Sequence, residues 1–217
     1  TLVYTLSLHD ALPISVGAGS AFAKRAFDVA FATAFLALAG PFLLLVGVAV
    51  KMDSSGPALF RQCRTGLNGA SFVCLKFRSM AHEEADPRGE RQTERNDSRV
   101  TRVGKWIRRA SVDEMPQFLN VLRGDMSVVG PRPHAPGTTV GGVPFEDVDP
   151  DYPLRHRVKP GITGLAQVRG SRGEIRSPEE LRQRVAWDLE YIRRRSLFMD
   201  VRIALATPLA LLKDKAY

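Results

Sequence analysis

The sequence predicts an α+β protein: a mainly helical domain set at a membrane surface, carrying one small β-hairpin and preceded by an apolar membrane helix. Three observations lead there. Residues 26–50 are almost continuously apolar, with one charge, Asp28. Two short strand-like runs, Ala58 to Arg64 and Ser71 to Phe77, flank the turn signal Gly66-Leu67-Asn68-Gly69, whose Asn and Gly tolerate positive φ. Beyond them, apolar residues recur at helical spacing in segments whose other faces are rich in arginine and lysine. With 217 residues, 44% of them hydrophobic, the chain can bury one good core, so one domain with a membrane attachment is expected. The division that follows is 1–20, 21–53 for the membrane helix and 54–217 for the domain.

Residues 1–20 are set aside as adaptor-derived or disordered. Thr5 to Ile14 reads like one translated frame of a common sequencing-library adaptor, so His9 and Asp10 are not site residues. If so, upstream membrane helices of a longer protein would be missing from this sequence. The apolar run that follows is long enough, at about 1.5 Å per residue, to cross a bilayer core of about 30 Å. Against a simple span stand Gly40-Pro41 in mid-run, where proline removes a backbone donor, and positive charge at both flanks, Lys24 and Arg25 before it and Lys51 after it. A helix that enters, bends at Pro41 and returns satisfies both. From these residues alone, span and return stay open.

After the hairpin, His82 to Ser98 is highly charged, contains Pro87 and Gly89, and reads as a solvated loop. Arg102 to Ala110 is a basic amphipathic helix with Val103, Trp106 and Ile107 on one face, suited to an anionic membrane surface. Ser111, three residues before Glu114, matches a capping box for a helix through Met115, Phe118, Leu119 and Leu122 that Gly124 ends, which would put Asp113-Glu114 in a first helical turn. His134 to Tyr152 reads as a loop and Pro178 to Arg195 as an amphipathic helix. Leu197 to Leu212, broken by Asp200, Arg202 and Pro208, reads as an interfacial or packed helix rather than a span.

The formal charge of +8 favours anionic partners, but acidic lipid, nucleic acid and phosphorylated small molecules satisfy it equally. Cys63 and Cys74 lack metal-ligand spacing and read as reduced, half-buried thiols in a cytosolic segment. The sharpest chemical signal is Asp113-Glu114. Acidic residues in a first turn are ordinarily helix stabilisers, yet an ionised aspartate is also a nucleophile, and a neighbouring carboxylate can hold a divalent cation. Nearby Arg108 and Arg109 would favour the anions. In Gly130-Pro131-Arg132-Pro133, two prolines stiffen the backbone around one arginine whose planar fork suits phosphate oxygens. Lys76 and Arg78, then Arg155, His156, Arg157 and Lys159, add cations, each of which taken singly is more often a solvated side chain. His156 reads as a surface residue. Lys159 to Gly164 is turn-rich and could offer backbone N–H groups to an anion, but no P-loop or dinucleotide fingerprint is present.

These residues together resemble the bacterial sugar transferases, the monotopic phosphoglycosyl transferases of exopolysaccharide and O-antigen synthesis. The resemblance runs from Lys24-Arg25-Ala26-Phe27-Asp28 through Lys76-Phe77-Arg78-Ser79-Met80 and SVDEMPQFLNVLRGDMSVVGPRP (Ser111 to Pro133). It continues through RHRVKPGITGLAQVRG (Arg155 to Gly170), Arg172-Gly173-Glu174, Asp188 to Ile192 and the final Lys215-Ala216-Tyr217. It implies a re-entrant membrane helix broken at Gly40 and Pro41, and an active site on the cytoplasmic face of the bacterial inner membrane. It further implies a two-step reaction in which Asp113 attacks the β-phosphate of a UDP-sugar, releases UMP and holds the phosphosugar covalently. Glu114 would bind Mg²⁺, and undecaprenyl phosphate would then take the phosphosugar. Arg78, Arg108, Arg132, Lys159 and Asp188 would serve the phosphates or the substrate. The sugar is expected to be glucose 1-phosphate, with galactose 1-phosphate next. The partners are then the UDP-sugar, undecaprenyl phosphate and membrane lipids, with a homodimer compatible and no nucleic acid. A non-catalytic membrane-surface binding protein would leave the Asp-Glu and Gly-Pro-Arg-Pro clusters unexplained. Many relatives have Ser-Pro where this chain has Gly40-Pro41, and a tryptophan where it has Arg195.

Overall fold

The computed structural model describes residues 18–81 and 97–213. The adaptor-like segment, most of the charged stretch after the hairpin and the last four residues lie outside the described residues. The order is α1 (Ala18–Asp53), β1 (Leu59–Thr65), β2 (Ser71–Phe77), α2 (Arg102–Arg109), a 3₁₀ turn (Val112–Glu114), α3 (Gln117–Arg123) and β3 (Ser127–Val129). There follow β4 (Thr139–Val140), β5 (Val143–Pro144), α4 (Phe145–Val148), a 3₁₀ segment (Tyr152–Arg157), β6 (Gly161–Thr163), α5 (Leu165–Val168), α6 (Pro178–Arg194) and α7 (Leu197–Lys213). The α+β class is borne out: among the described residues helices dominate, and the strands form three two-stranded sheets.

The hairpin lies within a residue of its expected ends. β1 and β2 pair antiparallel from Leu59 opposite Phe77 to Thr65 opposite Ser71. Its connection uses positive φ at Asn68 (54°) and Gly69 (77°), the residues chosen for that tolerance. The segment expected to be a loop, His134 to Tyr152, contains the β4–β5 pair and α4. β3 and β6 pair in parallel, Ser127 opposite Gly161 and Val129 opposite Thr163. Just past this pair the two backbones touch. A Cβ on Gly130 would stand 2.5 Å from the Lys159 carbonyl oxygen, and one on Gly161 would stand 2.1 Å from the Gly130 nitrogen. Glycine is required at both positions, and the approach fixes where the Gly-Pro-Arg-Pro segment begins.

α1 begins at Ala18, so residues 18–20 are helical. The helix assignment is continuous through Gly40-Pro41, although Pro41 can offer the Ala37 carbonyl no intrahelical donor. Its packing explains the continuity. Ala32, Leu36, Ala39, Leu43, Val46 and Val50, spaced alternately by four and three, form one stripe against the domain. The opposite faces leave Leu38, Phe42, Leu44, Leu45, Val48 and Met52 exposed. Among the described residues this is the one helix long and apolar enough to cross a membrane.

Both ends of α1 are tied to the domain. At its start, Asp28 is buried and accepts from the Val128 N–H (3.0 Å), the Ser127 hydroxyl (3.0 Å) and the Lys24 ammonium (3.1 Å). Lys24 also pairs with Asp200 of α7 (3.0 Å), which accepts from the Tyr191 hydroxyl (2.7 Å). Arg25 donates to the carbonyls of Val121 (2.6 Å) and Leu122 (2.8 Å), capping α3. At its end, Arg78 donates to the carbonyls of Val50 (3.2 Å) and Ser54 (2.7 Å), and Asp53 accepts from the Val103 N–H (2.9 Å). α7 is packed through Asp200 and Ile203 and exposes Phe198, Leu205, Leu209 and Leu212, which agrees with the packed alternative.

Replacing Asp28 with alanine orphans the buried Val128 N–H, at a cost of about 1–3 kcal/mol. Thermal unfolding of the detergent-solubilised Asp28→Ala protein is therefore expected at lower temperature than wild type. An unchanged midpoint would mean that this network does not hold α1 to the domain.

Candidate active site

The turn that carries Asp113 and Glu114 differs from the expected capping box. Ser111 adopts the left-handed conformation (φ 58°), rare for a non-glycine residue, and its side chain caps nothing. Val112–Glu114 form a 3₁₀ turn, and α3 starts only at Gln117, after Pro116. The local sequence agrees with this: proline lacks an N–H and fits best at a helix start, and Pro116 stands as the N-cap of α3, after the acidic pair. No α-helix N-terminus therefore supports these carboxylates. Instead, Val112 and Met115 pack into the cluster that contains Leu43, Val46 and Val50 of α1, with Phe77 and Ile107. The acidic turn is seated directly on the apolar helix.

Glu114 is fully engaged. Arg132 reaches it with a two-pronged contact, Nη2 to Oε1 (2.5 Å) and Nη1 to Oε2 (2.9 Å), and the Lys76 ammonium donates to Oε1 (2.8 Å). Burial pushes the Glu114 carboxyl up, but Arg132 and Lys76 outweigh it and hold the group well below the usual carboxylate range. Asp113 is pushed the other way, to about 6, first by burial and then by the charge of Glu114 beside it, while Lys76, Arg108 and Arg132 pull back. Two adjacent carboxylates thus receive opposite environments, as they do when one is to react and the other to support. Asp113 keeps part of its surface open to a cleft of about 300 Å³, open mouth included, lined by Arg108, Ser111, Asp113, Glu114, Arg132, Arg172 and Gly173. Arg109 is not in that lining.

The Pro131 to His134 segment is held at each successive carbonyl. Gly161 N–H donates to Pro131 O (2.9 Å) and Arg155 Nη2 to Arg132 O (2.7 Å). Arg64 Nη1 donates to Pro133 O (3.2 Å) and Thr65 N–H to His134 O (3.1 Å). Arg155 is itself fixed by Asp188, through Nε (3.0 Å) and Nη2 (2.7 Å) to one carboxylate oxygen, and both side chains are buried. Burial pushes the Asp188 carboxyl up while Arg155 pulls it back. One turn earlier on α6, buried Arg184 donates to the Ser171 hydroxyl (3.0 Å) and the Gly173 carbonyl (3.1 Å). α6 therefore holds two walls of the cleft with two charged residues, i and i+4, on its otherwise apolar face of Leu181, Val185, Leu189 and Ile192.

Of the expected site residues, Asp113, Glu114, Arg108 and Arg132 come together. Asp188 stands behind them and acts on the Arg132 carbonyl through Arg155. Arg78 and Lys159 do not line the cleft. Arg78 is buried at the end of α1, and the Lys159 ammonium lies near Gly124, 3.6 Å from where a Cβ there would sit. Arg172, Arg184 and the bridging role of Arg155 were not foreseen; charges inside the apolar stripe of α6 were the signal for Arg184. His156 is half-buried rather than superficial, its ring edge-on to Tyr152. Both thiols are free, Cys74 buried and Cys63 exposed.

No group of three or more His, Cys, Asp or Glu residues that could hold a metal ion occurs among the described residues. The pair Asp113 and Glu114 nonetheless fits a Mg²⁺, which is commonly held by one or two carboxylates with water and substrate phosphates supplying the rest. Glu114 can hold such an ion while still accepting from Arg132 and Lys76, since among its bonds to them Oε2 accepts only the one from Arg132 Nη1.

The model of the family described as bacterial sugar transferase matches residues 19–214. An undecaprenyl-phosphate glucose phosphotransferase of Komagataeibacter xylinus is 52% identical over 184 residues, which are 85% of this chain and 35% of that protein. A UDP-glucose:undecaprenyl-phosphate glucose-1-phosphate transferase of Caulobacter vibrioides is 51% identical over 195 residues, 89% of this chain and 72% of that protein. An exopolysaccharide production protein, PSS, of Rhizobium leguminosarum is 49% identical over 184 residues, 85% of this chain and 92% of that protein.

Asp188→Ala leaves Arg155 buried without its partner, a change that costs about 3–5 kcal/mol in comparable pairs. The unfolding midpoint is expected to fall clearly, and less in Asp188→Asn, which keeps an acceptor of the same shape. Equal midpoints for all three proteins would show that the pair does not support the cleft.

Proposed function

This chain belongs to the bacterial sugar transferase family, and on that premise we propose that it transfers a hexose 1-phosphate from a UDP-sugar to undecaprenyl phosphate. The products are undecaprenyl-diphosphate-sugar and UMP, and the reaction initiates exopolysaccharide or O-antigen synthesis. The sugar is glucose, the one named for the Komagataeibacter and Caulobacter relatives. The observation that carries the reading is the contrast within the acidic pair: Glu114 is clamped by Arg132 and Lys76, while Asp113 faces a cleft lined by three arginines.

In this mechanism an Oδ of Asp113 attacks the β-phosphorus of the donor. The new O–P bond forms as the bond to the bridging oxygen breaks, and UMP leaves with that electron pair. An oxygen of undecaprenyl phosphate then attacks the same phosphorus and returns the Asp113 carboxylate. Arg108 and Arg132 offset charge on the phosphate oxygens, where an arginine fork placed in advance counts most. A Mg²⁺ held by Glu114, when bound, supplies further neutralisation of the diphosphate. The segment Gly130 to His134 keeps Arg132 in place without reorganisation during the reaction.

The membrane helix is re-entrant in this reading, with both ends on the cytoplasmic face of the inner membrane. What supports it is the tethering of Lys24, Arg25 and Asp28 at one end, and Val50, Asp53 and Ser54 at the other, to one polar domain. Basic flanks at both ends agree with it. A stripe packed on the domain over the whole length between them leaves the other faces of α1, with Trp106 and α7, to meet lipid.

UMP release from UDP-glucose with Mg²⁺ and undecaprenyl phosphate is expected to vanish in Asp113→Asn, and unchanged turnover would exclude Asp113 as nucleophile. The attacking form is ionised, and its pKa lies at about 6. The rate should therefore be half lost near that pH and fall about tenfold per unit below it; a flat profile through that range contradicts the assignment. For topology, a Ser20→Cys variant in a Cys63→Ser background is expected to react with an impermeant maleimide from the same face as wild-type Cys63. Labelling from opposite faces would replace the re-entrant helix with a span.

A further inference from the structure

Three guanidinium groups line the cleft, and Arg172 is the one that the mechanism above does not use. Its hydrogen bond among the described residues goes from Nη2 to the Ser111 hydroxyl (2.5 Å), a neutral partner. Its neighbours are firmly placed: Gly170 and Gly173 take left-handed φ of 89° and 84°, and Arg184 holds both the Ser171 hydroxyl and the Gly173 carbonyl. Glu114 is matched twice, by Arg132 and Lys76, whereas Arg172 lines the same cleft as Asp113 with that hydrogen bond spent on an uncharged hydroxyl. A half-buried arginine fork with a neutral partner, set beside the residue two positions before Asp113, is arranged to receive an anion.

We propose that Arg172 is a substrate-binding residue of this cleft and takes a phosphate oxygen of a substrate, an inference that rests on the transferase reading. Both substrates offer that chemistry, the donor through its diphosphate and the acceptor through its terminal phosphate. Ser111 supports the arrangement twice. Its hydroxyl steadies the guanidinium, and its left-handed backbone turns the chain so that Asp113 and Arg172 face the same space.

The test is steady-state kinetics of the full chain with UDP-glucose and undecaprenyl phosphate varied independently, for wild type, Arg172→Gln, Arg172→Lys and Ser111→Ala. Loss of a charged hydrogen bond is worth about tenfold to a hundredfold in affinity. Arg172→Gln should raise one KM by that factor with a smaller change in kcat, and Arg172→Lys should recover part of it. A rise in the donor KM, accompanied by weaker inhibition by UMP, assigns the diphosphate; a rise in the acceptor KM assigns the polyprenyl phosphate. Both KM values unchanged, with kcat reduced only as in Ser111→Ala, would overturn the proposal and leave Arg172 as a brace for Ser111. A wild-type protein that releases no UMP overturns the transferase reading as well, and is told apart because it fails before any variant is compared.

Discussion

The two-pronged contact between Arg132 and Glu114 is the interaction on which the rest of the cleft depends. Arginine can hold that geometry only if its backbone does not move, and four consecutive carbonyls, from Pro131 to His134, each accept a hydrogen bond, from three separate parts of the chain. Those donors come from the hairpin, from the residue that opens β6 and, through Arg155 and Asp188, from α6. With Glu114 neutralised, its neighbour is left as the carboxylate with room in front of it. Burial and the adjacent negative charge hold Asp113 near 6, so it is ionised but poorly stabilised at neutral pH. An anion of that kind gains by bonding to an electrophile, which is the physical content of the proposed chemistry.

The same turn links the cleft to the apolar helix. Val112 and Met115, on either side of the acidic pair, belong to the cluster built on Leu43, Val46 and Val50. In the proposed reaction a lipid-linked acceptor and a soluble donor meet at Asp113, and its seat on the apolar helix would bring that meeting point to the membrane surface. Trp106 beside Phe42, and the exposed leucines of α7, extend that apolar surface.

Much of the architecture was legible in the sequence because it is local. The hairpin followed from two β-rich runs around an Asn-Gly turn, α2 and α6 from helical spacing, and α7 from an apolar run interrupted by charges. Local reasoning also produced the main error. Ser111 and Glu114 have capping-box spacing, but Ser111 is left-handed and the helix starts only after Pro116, a residue in plain view. At Gly40-Pro41 the sequence shows the missing donor but not the stripe that contacts the domain on both sides of Pro41.

The site was legible only in part. Asp113, Glu114, Arg108 and Arg132 lie within one resemblance-bearing stretch or beside it. The parts that hold them are distant in sequence: Arg155 and Asp188 are buried partners 33 residues apart, and Arg172 meets Ser111 across 61. No spacing rule predicts such pairs. Arg78 and Lys159 show the converse, basic residues whose charge suggested phosphate but whose surroundings are the ends of α1 and α3. The account as a whole stands on a carboxylate oxygen of Asp113 bonding to phosphorus. Mass spectrometry of protein incubated with UDP-glucose and Mg²⁺, without acceptor, followed by peptide mapping, tests this most directly. The account predicts a sugar-phosphate adduct on the peptide containing Asp113 that disappears when undecaprenyl phosphate is added. Turnover with both substrates but no adduct with donor alone would contradict it.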